Sequence, residues 1–452
     1  MATVFVVGAG PAGLFAAQKL ALAGHEVLIF NRDVKPGGLA EYGIYPLKEK
    51  MKAGLRKQFD KVLSLPNVHY FGHVPIAADS AVTIDTLREL CPAAVVFAVG
   101  AQGTKKLGLP GENAGGVFSA KDFVYHYNQL PPFSTRDFSA GKRVAIVGMG
   151  NVMVDIARWL LRDQPNRQTE EVVILARRGP LEAKFDDKEF ANIQMYLDRP
   201  AFDDEMRRVK GQLAQAGQDI AKVPEETFPC LVKYPDQQIT QPRLTFRFLS
   251  SPFAVLSDNH GRIARLLLSE NRLVDRNGKI EAQTTTNMSE LNVDTMIVAI
   301  GDKHDPNVGL PCGSNGYTTN PDPTPGASYE VFDAKTGEVL EGVFVVGWAR
   351  KASEGLVGIA RHDGETGALN VLRYLDRVPS RISASADEVT SILARKGIQA
   401  VSKSDLLWLS MAEQRDAELR GCLHHKYCDD LAMLEAIDSI RLSSTEPAAV
   451  LT

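Results

Sequence analysis

Gly8, Gly10 and Gly13 follow four apolar residues, Val4-Phe5-Val6-Val7, and precede a helix-like run from Leu14 to Ala23. A glycine at the first place turns the chain sharply, and one at the second lets a pyrophosphate approach the backbone. The third lets the helix pack close on the strand, so that its free N–H groups face the phosphates. The chemistry is dinucleotide binding. A second copy begins at Arg143-Val144-Ala145-Ile146-Val147 and continues through Gly148-Met149-Gly150-Asn151-Val152. Its partner strand, Val172 to Ala176, ends in Arg177-Arg178-Gly179-Pro180, with no acidic residue there. Guanidinium forks suit a 2′-phosphate, so the second site reads as one for NADP rather than NAD.

The elements that must carry these turns are legible around them. Glu26 to Phe30 forms a second strand closed by Asn31, whose amide oxygen can accept from a ribose hydroxyl. Pro36-Gly37-Gly38-Leu39 and Tyr42-Gly43-Ile44-Tyr45-Pro46 form a glycine-rich loop unsuited to helix, of the kind that passes close to a flat ring system. Ala93 to Gly100 closes the first unit, and Thr295 to Gly301 mirrors it in the second. Two phosphate cradles imply two nucleotides in one chain. Asp186 to Gln218 is charged and helical in pattern. Arg243 to Val255 reads as one strand, paired with Arg262 to Leu268 as an edge ribbon. Gly342 to Trp348 is a further buried strand, and Gly355 to Leu375 is a helix that returns to the first domain.

At 452 residues the chain is long enough for two or three domains. Its net charge of −4, with 44% apolar and 23% charged residues, argues against general nucleic-acid binding. No apolar run reaches membrane-spanning length, and the first strand starts too early to leave room for a leader, so a cytoplasmic protein is expected. Cys91, Cys230, Cys312, Cys422 and Cys428 form no CxxC pair and no iron–sulfur set, so electrons must move through an organic cofactor. The helix Lys48 to Lys61 carries six basic residues and is either a solvated face or a docking patch for an acidic partner. Cys422, His424, His425 and Cys428 crowd seven residues, but their spacing matches no usual zinc pattern; a plain surface helix is expected and no metal.

The chain resembles adrenodoxin-reductase-type ferredoxin–NADP reductases and, more distantly, the glutamate synthase small subunit. The resemblance covers about residues 1 to 375. It rests on Gly8 to Gly13, Ser119 to Val124 with Tyr127 to Pro131, Gly150-Asn151-Val152 with Asp155 to Arg158, Arg177 to Leu181, Phe248 with Ser251-Pro252, and Gly347-Trp348 leading to Gly355. It implies an α/β fold of two Rossmann-like dinucleotide-binding domains, for FAD and NADP, the second inserted into the first. The expected boundaries are 1–104 and 305–377 for the FAD domain, 105–304 for the NADP domain, and 378–452 for a helical extension.

By the resemblance FAD is held at Gly8, Gly10, Ala12, Gly13, Asn31, Leu39, Val74, Trp348 and Gly355-Leu356-Val357. NADP is held at Gly148 to Val152, Arg177, Arg178 and Glu189. No nucleophile or base is implied; Glu189 and Gly355 position the nicotinamide. Asn31 stands where the family has a glutamate, Lys48 where it has a histidine, and Met153 where a small residue opens the second helix. The implied activity passes hydride between NADP(H) and flavin N5, and single electrons to a ferredoxin-like or flavodoxin-like carrier. The alternatives are an electron-input subunit bound to a fixed partner, and a flavin-binding assembly or sensor protein with a silent second site.

Overall fold

The computed structural model describes residues 1–452 except 235–238, 315, 353–356, 380 and 444–452. The chain opens with strand β1 (Thr3–Val7), helix α1 (Pro11–Leu22), β2 (Glu26–Phe30), a one-turn helix α2 (Leu39–Tyr42), α3 (Glu49–Leu63), β3 (Val68–Phe71) and β4 (Ala94–Phe97). Next come β5 (Val117–Ser119), β6 (Arg143–Val147), α4 (Asn151–Arg158), β7 (Glu171–Leu175), α5 (Asp187–Phe190), α6 (Arg199–Gln215) and β8 (Arg243–Arg247). They are followed by β9 (Ser250–Ser257), β10 (Ile263–Arg276), β11 (Lys279–Asn292) and β12 (Thr295–Val298). The chain ends with β13 (Glu330–Asp333), β14 (Glu338–Val345), α7 (Val357–Leu375), α8 (Ala386–Arg395), α9 (Lys403–Leu419) and α10 (Asp430–Ser443).

These elements form two compact units, one of residues 1–104, 125–135 and 301–452, the other of 105–124 and 136–300. Residues 125–135, which the sequence alone groups with the second nucleotide-binding region, thus belong to the first unit. The first unit holds a sheet in the order β13-β14-β4-β1-β2-β3. It is parallel throughout except for β13, which runs antiparallel to β14. Val4 and Val6 face one core with Leu14, Leu20, Phe59 and Val371, while Phe5 and Val7 face another with Phe97, Val345, Val389 and Leu393. Burial on both faces explains why these strands read as unbroken apolar runs. It also gives the C-terminal extension a structural place, since α8 supplies Val389 and Leu393 to the second face.

The second unit holds a wholly parallel sheet, β5-β12-β6-β7-β8, and a three-stranded antiparallel sheet, β9-β10-β11. Arg243 to Val255 is therefore two strands in different sheets. The chain switches sheets at Leu249, whose φ of 49° breaks the extended run. The glycine-rich loop after β2 likewise departs from expectation, because α2 forms a single turn inside it.

α1 and α7 pack closely in the first unit. A Cβ on Gly364, inside α7, would stand 2.2 Å from the Ala12 carbonyl oxygen, so α7 approaches α1 to backbone distance. Gly364→Ala is expected to cost about 2–3 kcal/mol through overpacking. Urea unfolding of the variant beside wild type checks this, an unchanged midpoint being the contrary result.

Candidate dinucleotide-binding sites

In the first unit the C-terminal edge of the sheet gathers three pieces of backbone. Gly8, at φ +105°, turns the chain from β1 into α1, and a Cβ on Gly13 would stand 2.0 Å from the Gly8 carbonyl oxygen. Helix α1 starts after Gly10 with no side-chain cap and Pro11 in its first turn. Its first N–H groups therefore lack a partner from the helix itself. A Cβ on Gly10 would meet nothing within 4 Å. Open space before an uncapped helix start fits a pyrophosphate.

The loop after β2 arrives from one side: Gly37 N–H donates to the Ala9 carbonyl (2.7 Å), and a Cβ on Gly38 would lie 3.2 Å from Gly10 Cα. From the other side comes the turn after β14, where a Cβ on Gly347 would stand 2.6 Å from Ala12 Cβ. Trp348, expected to end the strand, lies instead on this turn: β14 stops at Val345, and a 3-10 turn spans Gly347–Ala349. Asp363 on α7 fixes it, accepting from Gly347 N–H (2.6 Å) and the Tyr329 hydroxyl (3.0 Å) and pairing with Arg350. Asp363 escaped the sequence reading; Gly364 and Gly367, glycines inside a helical run, were the available signal of close backbone approach.

Asn31 is buried, and its amide serves the protein itself. Its oxygen, expected to face a ribose, accepts from Ala9 N–H (3.0 Å), and its NH2 group donates to the Asp33 and Lys35 carbonyls (2.8 and 3.0 Å). Tyr70 on β3 lies 3.1 Å from the same NH2 group, so Asn31 ties the glycine turn to the sheet. Val74 is buried and donates to the Asn31 carbonyl (2.9 Å). Leu39 opens α2 and packs with Tyr42, Tyr125, Leu130 and Phe133. Val357 is the first residue of α7, while Gly355 and Leu356 lie outside the described residues.

The basic run on α3 is not a single face. Lys52 is 3% exposed and donates to Asn128 Oδ1 (2.8 Å); Arg56 grips Glu41 through two hydrogen bonds (2.7 and 2.8 Å) and also pairs with Glu49. Only Lys50, Lys57 and Lys61 of the six point fully outward. Burial, with the Lys426 charge adding to it, pulls Lys52 down to about 8.

In the second unit Gly148, at φ +128°, turns β6 into α4, and Gly150 again opens onto free space. Met153 stands at the place of Gly13, and its side chain is fully buried in the core. A Cβ at that place excludes the tight contact seen at Gly13, so this turn is set wider. The Met149 carbonyl accepts from Lys184 N–H (2.8 Å), and Asn151 Oδ1 accepts from Asp186 N–H (2.8 Å). These bonds hold α5, which carries Glu189, beside the turn; Val152 is exposed. Arg177 and Arg178 follow β7, the first exposed and the second half-buried. Their backbone is held by Asn271 Nδ2 on the Arg177 carbonyl (2.9 Å) and Leu249 N–H on the Arg178 carbonyl (3.2 Å). Neither guanidinium has a hydrogen-bond or ion-pair partner among the described residues.

Among the described residues no group of three His, Cys, Asp or Glu is arranged to hold a metal, and no helix is long and apolar enough to cross a membrane. The five cysteines are free thiols.

A family model described as pyridine nucleotide-disulphide oxidoreductase matches residues 2–198. The NADPH-ferredoxin reductase FprA of Mycobacterium leprae (strain TN) is 31% identical, the match covering 80% of this chain and 81% of that protein. The mitochondrial NADPH:adrenodoxin oxidoreductase of Bos taurus is 27% identical over 96% of this chain and 92% of its own length. The structure of Mycobacterium tuberculosis FprA in complex with NADPH matches with a TM-score of 0.81 at 27% identity, covering 96% of this chain and 99% of that one.

Glu41 gives the first unit a measurable acid dependence. Burial pushes its carboxyl up, but hydrogen bonds from Arg56 and the charges of Lys426 and Lys35 outweigh this and hold it at about 2, against 4.5 unperturbed. A folded-state value below the unfolded one stabilises above the unfolded value, and the gain disappears as pH falls through the folded one. Glu41→Gln is therefore expected to lose roughly 3 kcal/mol at neutral pH, with the gap to wild type closing at acid pH. Urea titrations at several pH values check it, a gap independent of pH being the failure.

Proposed function

This chain belongs to the NADPH-ferredoxin reductase family, and on that premise we propose that it is an NADPH-oxidising flavoprotein that passes electrons to a ferredoxin-like carrier. FAD is assigned to the glycine turn of the first unit and NADP(H) to that of the second. The observation that carries the reading is one device present in both units: a parallel strand, a glycine turn with open space before it, and a helix start behind. In the second unit two guanidiniums without partners among the described residues follow the neighbouring strand, which supports a ligand bearing an extra phosphate.

When bound, the two cofactors supply the hydride and single-electron chemistry; the chain supplies binding and orientation. The N–H groups at the start of α1 would meet the pyrophosphate, and Asn31 keeps that turn in place through Ala9. Arg177 and Arg178 would hold the 2′-phosphate and so anchor the far end of the second nucleotide. Glu189, held beside the Met149–Asn151 turn, would orient the carboxamide of the nicotinamide.

The direct test is anaerobic addition of NADPH to the purified protein, followed by loss of the yellow flavin absorbance and its return on adding oxidised ferredoxin. Protein that is colourless, or yellow but unchanged by NADPH, defeats the reading. Coenzyme choice tests the arginines: Arg177→Ala and Arg178→Ala together are expected to cost about 2–5 kcal/mol of NADPH binding. NADH binding should hardly change. Equal affinity of variant and wild type for NADPH would remove these two residues from the site.

A further inference from the structure

The C-terminal extension carries no assigned role, yet it reaches back onto the loop that follows β2. Lys426 forms an ion pair with Glu41, a carboxylate 4% exposed on α2, and its ammonium stands 5.0 Å from the centre of the Tyr42 ring. Two residues on, the Cys428 carbonyl accepts from the Ser134 hydroxyl. Glu413 of α9 takes both its oxygens to Lys35 Nζ (2.9 and 2.6 Å), at the start of the same loop. Val34, just before Lys35, is buried in a cluster otherwise drawn from the extension, including Val401, Leu409, Ala412 and Met433. Val401 also exchanges two backbone hydrogen bonds with Gly72, directly after β3 (2.8 and 2.9 Å).

Apart from the Ser134 bond, these contacts fall on segments that leave the C-terminal edge of the first sheet, the edge at which ligands of open α/β sheets bind. Residues 34–42 are pinned at both ends, by Lys35–Glu413 and by Glu41–Lys426. Between the pins lie Gly37, bonded to Ala9, and Gly38, packed on Gly10. Arg56 already neutralises Glu41 from within the sheet domain, so Lys426 adds a second cation to one buried carboxylate. Four cations (Lys35, Lys52, Arg56 and Lys426) and three carboxylates (Glu41, Glu49 and Glu413) meet around α2, and removing Lys426 leaves Glu41 to Arg56 alone and takes away the extension's hold on that end of the loop.

We propose that the extension is part of the flavin site: Lys426 and Glu413 act as positioning residues that hold loop 34–42 against the Gly8–Gly13 turn, so that FAD affinity depends on them. The inference rests on FAD occupying the first unit. By linkage, bound FAD must tighten the docking of the extension by the same factor by which docking tightens FAD.

The experiment titrates FAD into full-length apoprotein and follows quenching of flavin fluorescence. Lys426→Met is expected to bind FAD about tenfold more weakly, and Lys426→Arg to recover most of that loss. The far-UV spectrum of the apoprotein should be unchanged in both. Wild type that takes up no FAD refutes the assignment of FAD to the first unit. Wild type that binds FAD beside a Lys426→Met protein of equal affinity overturns the positioning role alone. Should Lys426→Met fail to fold, hydrogen exchange on wild type decides. FAD that slows exchange over residues 420–429 together with 8–14 upholds the proposal, and FAD that slows 8–14 alone ends it.

Discussion

The first unit depends on backbone meeting backbone around the start of α1. Gly13 stands against the Gly8 carbonyl and Gly364 against the Ala12 carbonyl, while Gly347 lies against the Ala12 methyl. No side chain fits into any of these contacts, so the positions of β1, α1, α7 and the turn after β14 are set by the absence of atoms. The consequence is electrostatic. A helix start held this close to a sheet edge presents its N–H groups at a fixed place, and a ligand phosphate finds them already oriented. Asp363 and Asn31 stabilise the arrangement from either side, each filling its hydrogen-bonding capacity with groups of the protein.

The second unit repeats the design with one contact relaxed. Met153 replaces the glycine that presses α1 onto its strand, so only Gly148 and Gly150 keep their original duties. Its distinguishing feature is charge. Around α2 in the first unit, Arg56, Lys35 and Lys426 are matched by Glu41, Glu49 and Glu413. Such a closed network gains its stability internally and has little left to attract a ligand. Among the described residues Arg177 and Arg178 have no such match, although Asn271 and Leu249 hold their backbone firmly. A held backbone carrying two guanidiniums without partners among the described residues would suit the polyanion proposed for this unit.

These differences explain which parts of the chain were legible in its residues. The parallel strands and both glycine turns stood out, because burial on two faces demands continuous apolar runs and close approach demands glycine. β11 did not. Its residues are mostly exposed or half-buried, Thr284-Thr285-Thr286-Asn287 among them, so no alternating apolar signal marks it. Arg243 to Val255 misled for the opposite reason. Apolar and polar residues alternate from Arg243 to Phe248 as in one continuous strand, which conceals a change of sheet at Leu249, where the departure lies in φ and not in residue type. Asn31 was read by its position in a motif, whereas its partners are set by Ala9, Tyr70 and the Lys35 carbonyl, which only the folded chain brings together.

Charge pairing is the least legible layer, because a single lysine carries no periodicity. Lys426 lies in a polar stretch among histidines and cysteines, where the eye goes to metal chemistry. Its partner Glu41 lies in a loop where the glycines draw attention. Both pKa directions in this cluster follow from the same geometry: burial alone would raise Glu41 and lower Lys426, and the hydrogen bonds from Arg56 with the charges of Lys426 and Lys35 keep the carboxylate ionised. A pair of this kind costs much to break, since the partner left behind is buried and charged. It therefore holds two distant segments in one register more strictly than an apolar contact of the same size, which can repack. The loop beside the first glycine turn is held in place by such a pair, whose other half comes from the extension.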